Sequence, residues 1–204
     1  MNATPAYKKP KGFTLIETVV SVTILATAIV GPLTLSAKSI QASRGARLEL
    51  EATYLAVEGV EIIHSIRNNF SAADGNADRS GWLGGGSPPY IQDECSAGCA
   101  VDVTEHGGTA PVWDTRNNRA LDTCTTASEC QIIYNITSGV YRQRGSSGIP
   151  GGGTWIVTPF TRTVTVTTVN PRQEHITSTV TYESNGTTRT IVAEDDIYNW
   201  FPEF

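Results

Sequence analysis

Between Phe13 and Ala37 (FTLIETVVSVTILATAIVGPLTLSA) a single side chain can ionise, Glu17, and the stretch from Thr18 to Ala37 carries no charge. As a helix rising about 1.5 Å per residue, that stretch covers the roughly 30 Å of a bilayer's hydrocarbon layer. The sequence therefore predicts one membrane-crossing helix near the N-terminus, with everything after it on one side. An ordinary secretory signal places a small-x-small cut after its apolar region. Here a basic stretch holding Lys8, Lys9 and Lys11 abuts the apolar run, with Gly12 between them. Lysines ahead of the span favour a cytoplasmic N-terminus. Lys38, Arg44 and Arg47 on the far side weaken that asymmetry.

The segment Lys11-Gly12-Phe13-Thr14-Leu15-Ile16-Glu17 resembles the cleavage and methylation motif of type IV prepilins and type II secretion pseudopilins. The resemblance is strong over roughly residues 8–40 and diffuse beyond them. It implies that a membrane-embedded aspartic prepilin peptidase cuts after Gly12, that the new Phe13 amine is methylated, and that Glu17 becomes the fifth residue of the mature chain. It also implies that Glu17 pairs with the N-terminal amine of a neighbouring subunit. The chain is then a substrate of that chemistry. A carboxylate in a spanning helix costs on the order of 2.5–3.5 kcal/mol at the bilayer centre and is normally paired or functional. The bland alternative places Glu17 at headgroup depth, where an acid suits the positive end of the helix dipole.

Gly31-Pro32 interrupts the apolar run and predicts a kink or a local opening of the helix. After Ala37 the pattern turns amphipathic. Leu48, Ala52, Leu55, Gly59, Ile62, Ile63 and Ile66 recur at helical spacing among Glu49, Glu51, Glu58, Glu61 and Arg67. The division this predicts is a cleaved cytoplasmic leader at 1–12, a membrane and filament-core helix at 13–37, an amphipathic helical half at 38–69, and an extracytoplasmic β-rich domain at 70–204. A coiled coil competes for the amphipathic half, but Ala and Gly in the stripe suit close packing against a sheet or helix better.

From Ser71 to Pro89 the composition shifts to Ser, Asp, Asn, Gly and Pro, a crossover loop. Asp74, Asn76 and Asp78 alternate there as in a calcium loop. Arg79 and Gly85 stand where the EF-hand pattern wants glycine and an acid, so a turn with solvated acids is the better reading. Four cysteines form two local pairs, Cys95/Cys99 and Cys124/Cys130. Their spacings favour those pairings as disulfides in an oxidising compartment, with the crossed pairings left open. A zinc site using these thiols and His106 is the rival, opposed by the absence of C-x2-C spacing.

Strand signals follow at Gln131–Ile136, Val140–Arg142, Thr154–Val157, Phe160–Val169, Ile176–Tyr182 and Thr188–Ala193. In the fourth, Phe160, Val164 and Val166 alternate with Thr161, Thr163, Thr165 and Thr167, one face dry and the other wet. Asn185-Gly186 is a type I′ hairpin signature whose register pairs Ser184 with Thr187, Tyr182 with Arg189 and Val180 with Ile191. The fold expected is α+β, a long N-terminal helix packed on an antiparallel β-meander, pilin-like in arrangement.

Chemistry points away from catalysis. His64, His106 and His175 show no ligand spacing, Gly84–Gly86 and Gly151–Gly153 lack the end of a phosphate loop, and Asp195-Asp196 reads as solvated acids. No cofactor is expected. The net charge of −5, or −8 once the three leader lysines are removed, opposes nucleic-acid binding. Trp200, Phe201 and Phe204 end the chain with aromatics suited to packing or to a partner. The function expected is a structural subunit, a minor pilin or pseudopilin anchored in the bacterial inner membrane. Its expected partners are the prepilin peptidase, other pilin-like subunits and the inner-membrane assembly machinery. An adhesin or ligand-binding tip, and less so a membrane-tethered enzyme, are the alternatives.

Overall fold

The structure, a computed structural model, describes residues 12–73, 91, 95–102, 121–145, 149 and 154–199, the side chains of 69–73 excepted. Among the described residues, one long helix and seven strands are delineated. Helix α1 runs Leu15–Ala73 without interruption, and Pro32 lies inside it. The chain divides into two compact units within this helix, the first ending at Ala46 and the second beginning at Arg47.

In the first unit the helical side chains stand exposed around the whole circumference, Leu15 by 82% and Ile16 by 73%. Hydroxyls that would otherwise be unpaired in hydrocarbon bond back to the helix's own carbonyls. Thr18 donates to Leu15 O (2.7 Å), Ser21 to Glu17 O (2.7 Å), Thr23 to Val19 O (2.8 Å), Thr34 to Gly31 O (2.8 Å) and Ser36 to Pro32 O (2.9 Å). A helix full of Thr and Ser can therefore meet an apolar solvent with its polar atoms satisfied internally.

The second unit is a sheet closed by the C-terminal part of α1. Its strands are β1 (Cys99–Val101), β2 (Leu121–Thr123), β3 (Gln131–Asn135), β4 (Tyr141–Gln143), β5 (Trp155–Asn170), β6 (Gln173–Ser184) and β7 (Thr187–Tyr198), every pairing antiparallel. The meander is confined to β5, β6 and β7. On its other edge β5 is shared by β3 and by β1, which carry β4 and β2 outward. The β6–β7 turn has the expected register, Ser184↔Thr187, Tyr182↔Arg189 and Val180↔Ile191. Asn185 (φ 54°) and Gly186 (φ 75°) both take the left-handed conformation that a type I′ turn requires.

The two stretches expected as separate strands at Thr154–Val157 and Phe160–Val169 are one 16-residue strand, β5. Pro159 has no N–H for a ladder, and it sits where the β3–β5 register slips between Gln131↔Thr161 and Ile133↔Val157. Around this bulge the Gln131 amide donates to Thr158 O (2.7 Å) and Phe160 O (3.0 Å), so carbonyls released from the ladder stay bonded.

Side chains of α1 at Ala52, Leu55, Ala56, Val60, Ile62, Ile63 and Ile66 are buried against Phe160, Val164, Val166, Ile176, Val180, Tyr182 and Ile197 of the sheet. Gly59 marks the closest approach. A Cβ there would stand 2.4 Å from Ser178 Oγ and 3.1 Å from Val164 Cγ2. The amphipathic stripe and the dry face of β5 thus cover each other, which removes about 25 cal/mol of unfavourable apolar hydration per Å² hidden.

Candidate functional site

The chemistry legible in the sequence gathers at the start of α1. Gly12, Phe13 and Thr14 precede the helix in non-helical backbone, and among the described residues no heavy atom beyond the chain neighbours lies within 4 Å of where a Gly12 Cβ would be. The peptide between Gly12 and Phe13 therefore lies outside the helical hydrogen bonding of α1. Thr14 closes the first turn, its carbonyl accepting from Glu17 N (3.1 Å) and Thr18 N (3.2 Å). Glu17 is the acid of the first turn, where free backbone N–H groups favour negative charge. From Leu15 the helix is long and apolar enough to cross a membrane.

The cysteines are bonded as Cys95–Cys99 and Cys124–Cys130. Cys95 and Cys99 belong to the core beneath Ile62, Ile63 and Ile66, whereas Cys124 and Cys130 form a separate small cluster with Ala100. The loop between Cys124 and Cys130 is ordered by Thr126 and Glu129 at capping-box spacing. The Glu129 carboxylate accepts from Thr125 N (2.8 Å) and Thr126 N (3.0 Å), and Thr126 Oγ1 accepts from Glu129 N (3.3 Å). The bonds from the Thr125 and Thr126 amides hold the Glu129 carboxyl below its ordinary range.

Asp74, Asn76, Asp78 and His106 lie outside the described residues, as do Gly84–Gly86, Gly151–Gly153, Trp200, Phe201 and Phe204. His64 Nε2 lies 2.9 Å from Asp195 Oδ2, and His175 Nδ1 lies 2.8 Å from Asp196 Oδ1. These contacts join α1 to β7 and β6 to β7. Among the described residues, no three His, Cys, Asp or Glu side chains converge as a metal site would require.

A polar centre within the core was not anticipated. Arg162 is buried on the dry face of β5, between Phe160 and Val164. Its guanidinium donates to Leu55 O (3.0 Å), Glu58 Oε2 (2.8 Å), Val101 O (2.8 Å) and Gln143 Oε1 (3.1 Å). Gln143 Oε1 in turn accepts from Val101 N (3.1 Å), and Arg142 pairs with Asp102 at 2.6 Å beside it. Burial lowers the Arg162 pKa while the Glu58 charge opposes that shift. One side chain thus ties α1, β1, β4 and β5 together. The strict alternation Phe160-x-Arg162-x-Val164-x-Val166 was the available signal, since it puts Arg162 on the same face as its apolar neighbours.

An exposed apolar helix continued into an amphipathic one on an antiparallel sheet is an α+β, pilin-like arrangement. Residues 7–31 match the prokaryotic N-terminal methylation motif, the prepilin-type signature of type IV pilins and pseudopilins, which supports a type IV pilin-like or pseudopilin-like protein. No curated protein and no solved structure matches the chain.

Proposed function

We propose that this chain is a non-catalytic structural subunit, a minor pilin or pseudopilin, of a type IV pilus or type II secretion-like filament. A prepilin peptidase cuts it between Gly12 and Phe13, and the Phe13 amine is then methylated. Its extracytoplasmic domain is held at the inner membrane by the Phe13–Ala37 helix until assembly. In the filament Glu17 faces the N-terminal amine of a neighbouring subunit. The observation that carries this reading is the motif at residues 7–31, which runs from the basic stretch into an exposed helical segment that carries no charge from Thr18 to Ala37. Within it, Gly12 and Phe13 stand outside the helix.

Mass spectrometry of the N-terminus of protein purified from membranes tests the proposal. A chain beginning at methylated Phe13 is expected, whereas one retaining Met1 to Gly12 overturns it.

A further inference from the structure

Past the uncharged stretch from Thr18 to Ala37 the chain turns abruptly cationic. Lys38 is the first residue beyond it, Arg44 follows, and the first acid after Glu17 is Glu49. Both cations are exposed on α1 within the first unit, and among the described residues neither forms a hydrogen bond or an ion pair. Arg47, the next cation, is already held by Glu51 at 3.1 Å. Cations on the translocated side of a span oppose the orientation that the leader lysines favour, so their place there calls for a compensating contact. Cutting after Gly12 sharpens the imbalance. It removes Lys8, Lys9 and Lys11, leaving the Phe13 amine against the Glu17 carboxylate at one end of the span and Lys38 and Arg44 at the other.

We infer that Lys38 and Arg44 form a collar that binds the phosphates of anionic phospholipids in the leaflet facing the extracytoplasmic domain. Which leaflet that is rests on the reading above, which sets the side on which the domain lies. With Thr18 to Ala37 filling the roughly 30 Å of hydrocarbon, Lys38 stands at its boundary. Arg44 lies about 9 Å further along the helix, just past a headgroup layer roughly 5–7 Å deep. Side chains on a helix lean toward its N-terminus, so Arg44 leans back toward the headgroups. The Lys38 stem lies along apolar surface at the boundary while its ammonium turns out to the same level. The spacing puts the two about 120° apart around the helix, so they reach different lipids. Arg44 presents a fork that fits two phosphate oxygens, and Lys38 a point charge. Ser39, Ile40, Gln41, Ala42 and Ser43 between them carry no acid that would compete. Each cation near an anionic surface strengthens attachment roughly fivefold, about 1 kcal/mol, so the pair gives roughly 25-fold. After the cut this collar, and no longer the leader, fixes how deep the processed helix sits.

Native mass spectrometry of the full chain, expressed with its processing machinery and extracted from membranes in detergent, tests the collar and reads the N-terminus at once. Offered equal amounts of phosphatidylglycerol and phosphatidylcholine, the wild-type chain is expected to retain the anionic lipid preferentially. Lys38→Gln and Arg44→Gln should each lower retained phosphatidylglycerol roughly fivefold, and the double variant roughly 25-fold. Glutamine matches lysine and arginine in helix propensity, so the helix persists in each. Arg47→Gln should leave retention unchanged, because that guanidinium is engaged by Glu51. Equal retention of both lipids by wild type, retention that survives the double change, or a loss in Arg47→Gln as large as in Arg44→Gln overturns the collar. Any of these in a chain methylated at Phe13 leaves the proposed function standing. A chain that keeps Met1 to Gly12 defeats the proposed function, and the loss on removing Lys38 and Arg44 still decides the collar.

Discussion

Gly59 shows how much one hydrogen atom in place of a side chain controls in this fold. The helix rests on the sheet at Ser178 and Val164, and a methyl at position 59 would overlap Ser178 Oγ at 2.4 Å. Alanine has a helix propensity better than glycine by about 1 kcal/mol, so an exposed Gly→Ala would stabilise. Here overpacking of about 1–3 kcal/mol opposes that gain and is expected to dominate. Ser178 is fully buried, and its hydroxyl has no hydrogen-bond partner among the described residues. Ser178→Ala therefore removes the obstructing atom without stranding another, and is expected to be neutral or slightly stabilising on its own. Thermal unfolding of the full-length protein in detergent checks the cycle. Gly59→Ala should lower the midpoint, and Gly59→Ala with Ser178→Ala should recover most of the loss. Equal midpoints for Gly59→Ala and wild type would mean that the helix does not sit this close to the sheet.

At the scale of elements, the sequence was most readable where a few neighbouring residues decide the outcome. Asn185-Gly186 and the alternation around it suffice to set the β6–β7 register, because turn type and side-chain facing constrain it together. Residues 99–101 and 121–123 carry too few alternating side chains to announce β1 and β2, which exist through their pairing with each other and through that of Cys99 in β1 with Val164 in β5. Arg162 was missed for a related reason. An arginine reads as a break in a dry face until a carboxylate and three carbonyl-type oxygens from distant elements are found around it.

The Cys124–Cys130 loop is the opposite case, with its order written locally in Thr126-Ala127-Ser128-Glu129. Because the folded pKa of Glu129 lies below its ordinary value of 4.5, its contribution is present above about pH 4.5 and is lost as pH falls through the folded pKa. Hydrogen exchange followed by NMR should show protection of the Thr125 and Thr126 amides at neutral pH that fades below about pH 4.5. In Glu129→Ala it should be missing at both values. Protection that is independent of pH would remove the carboxylate from this role.

For the whole molecule, the parts that follow from local chemistry are the membrane-length helix and the motif before it, while the sheet's connectivity depends on contacts far apart in sequence. The function rests on the local part, and Glu17 is its most exposed assumption. Moving a carboxylate towards the bilayer centre costs on the order of 2.5–3.5 kcal/mol, a factor of roughly a hundred in partitioning, so an unpaired Glu17 would oppose the burial that assembly requires. In the proposed filament, pairing with a neighbour's amine would reverse that sign. Replacing Glu17 with alanine removes both the cost and the pairing, so anchoring should survive while selection of the correct neighbour fails. Glu17→Ala is accordingly expected to be cut after Gly12 as wild type is, to remain in the membrane fraction, and to be recovered at least tenfold less in sheared filaments, about 1.4 kcal/mol of lost coupling. Glu17→Gln keeps a hydrogen-bond acceptor without the charge and should fall between the two. Immunoblots of membrane and filament fractions, with the processed N-terminus checked in each, separate loss of cutting from loss of incorporation. Wild-type recovery of Glu17→Ala in filaments would place Glu17 at the headgroups as a helix-start acid and remove it from subunit recognition.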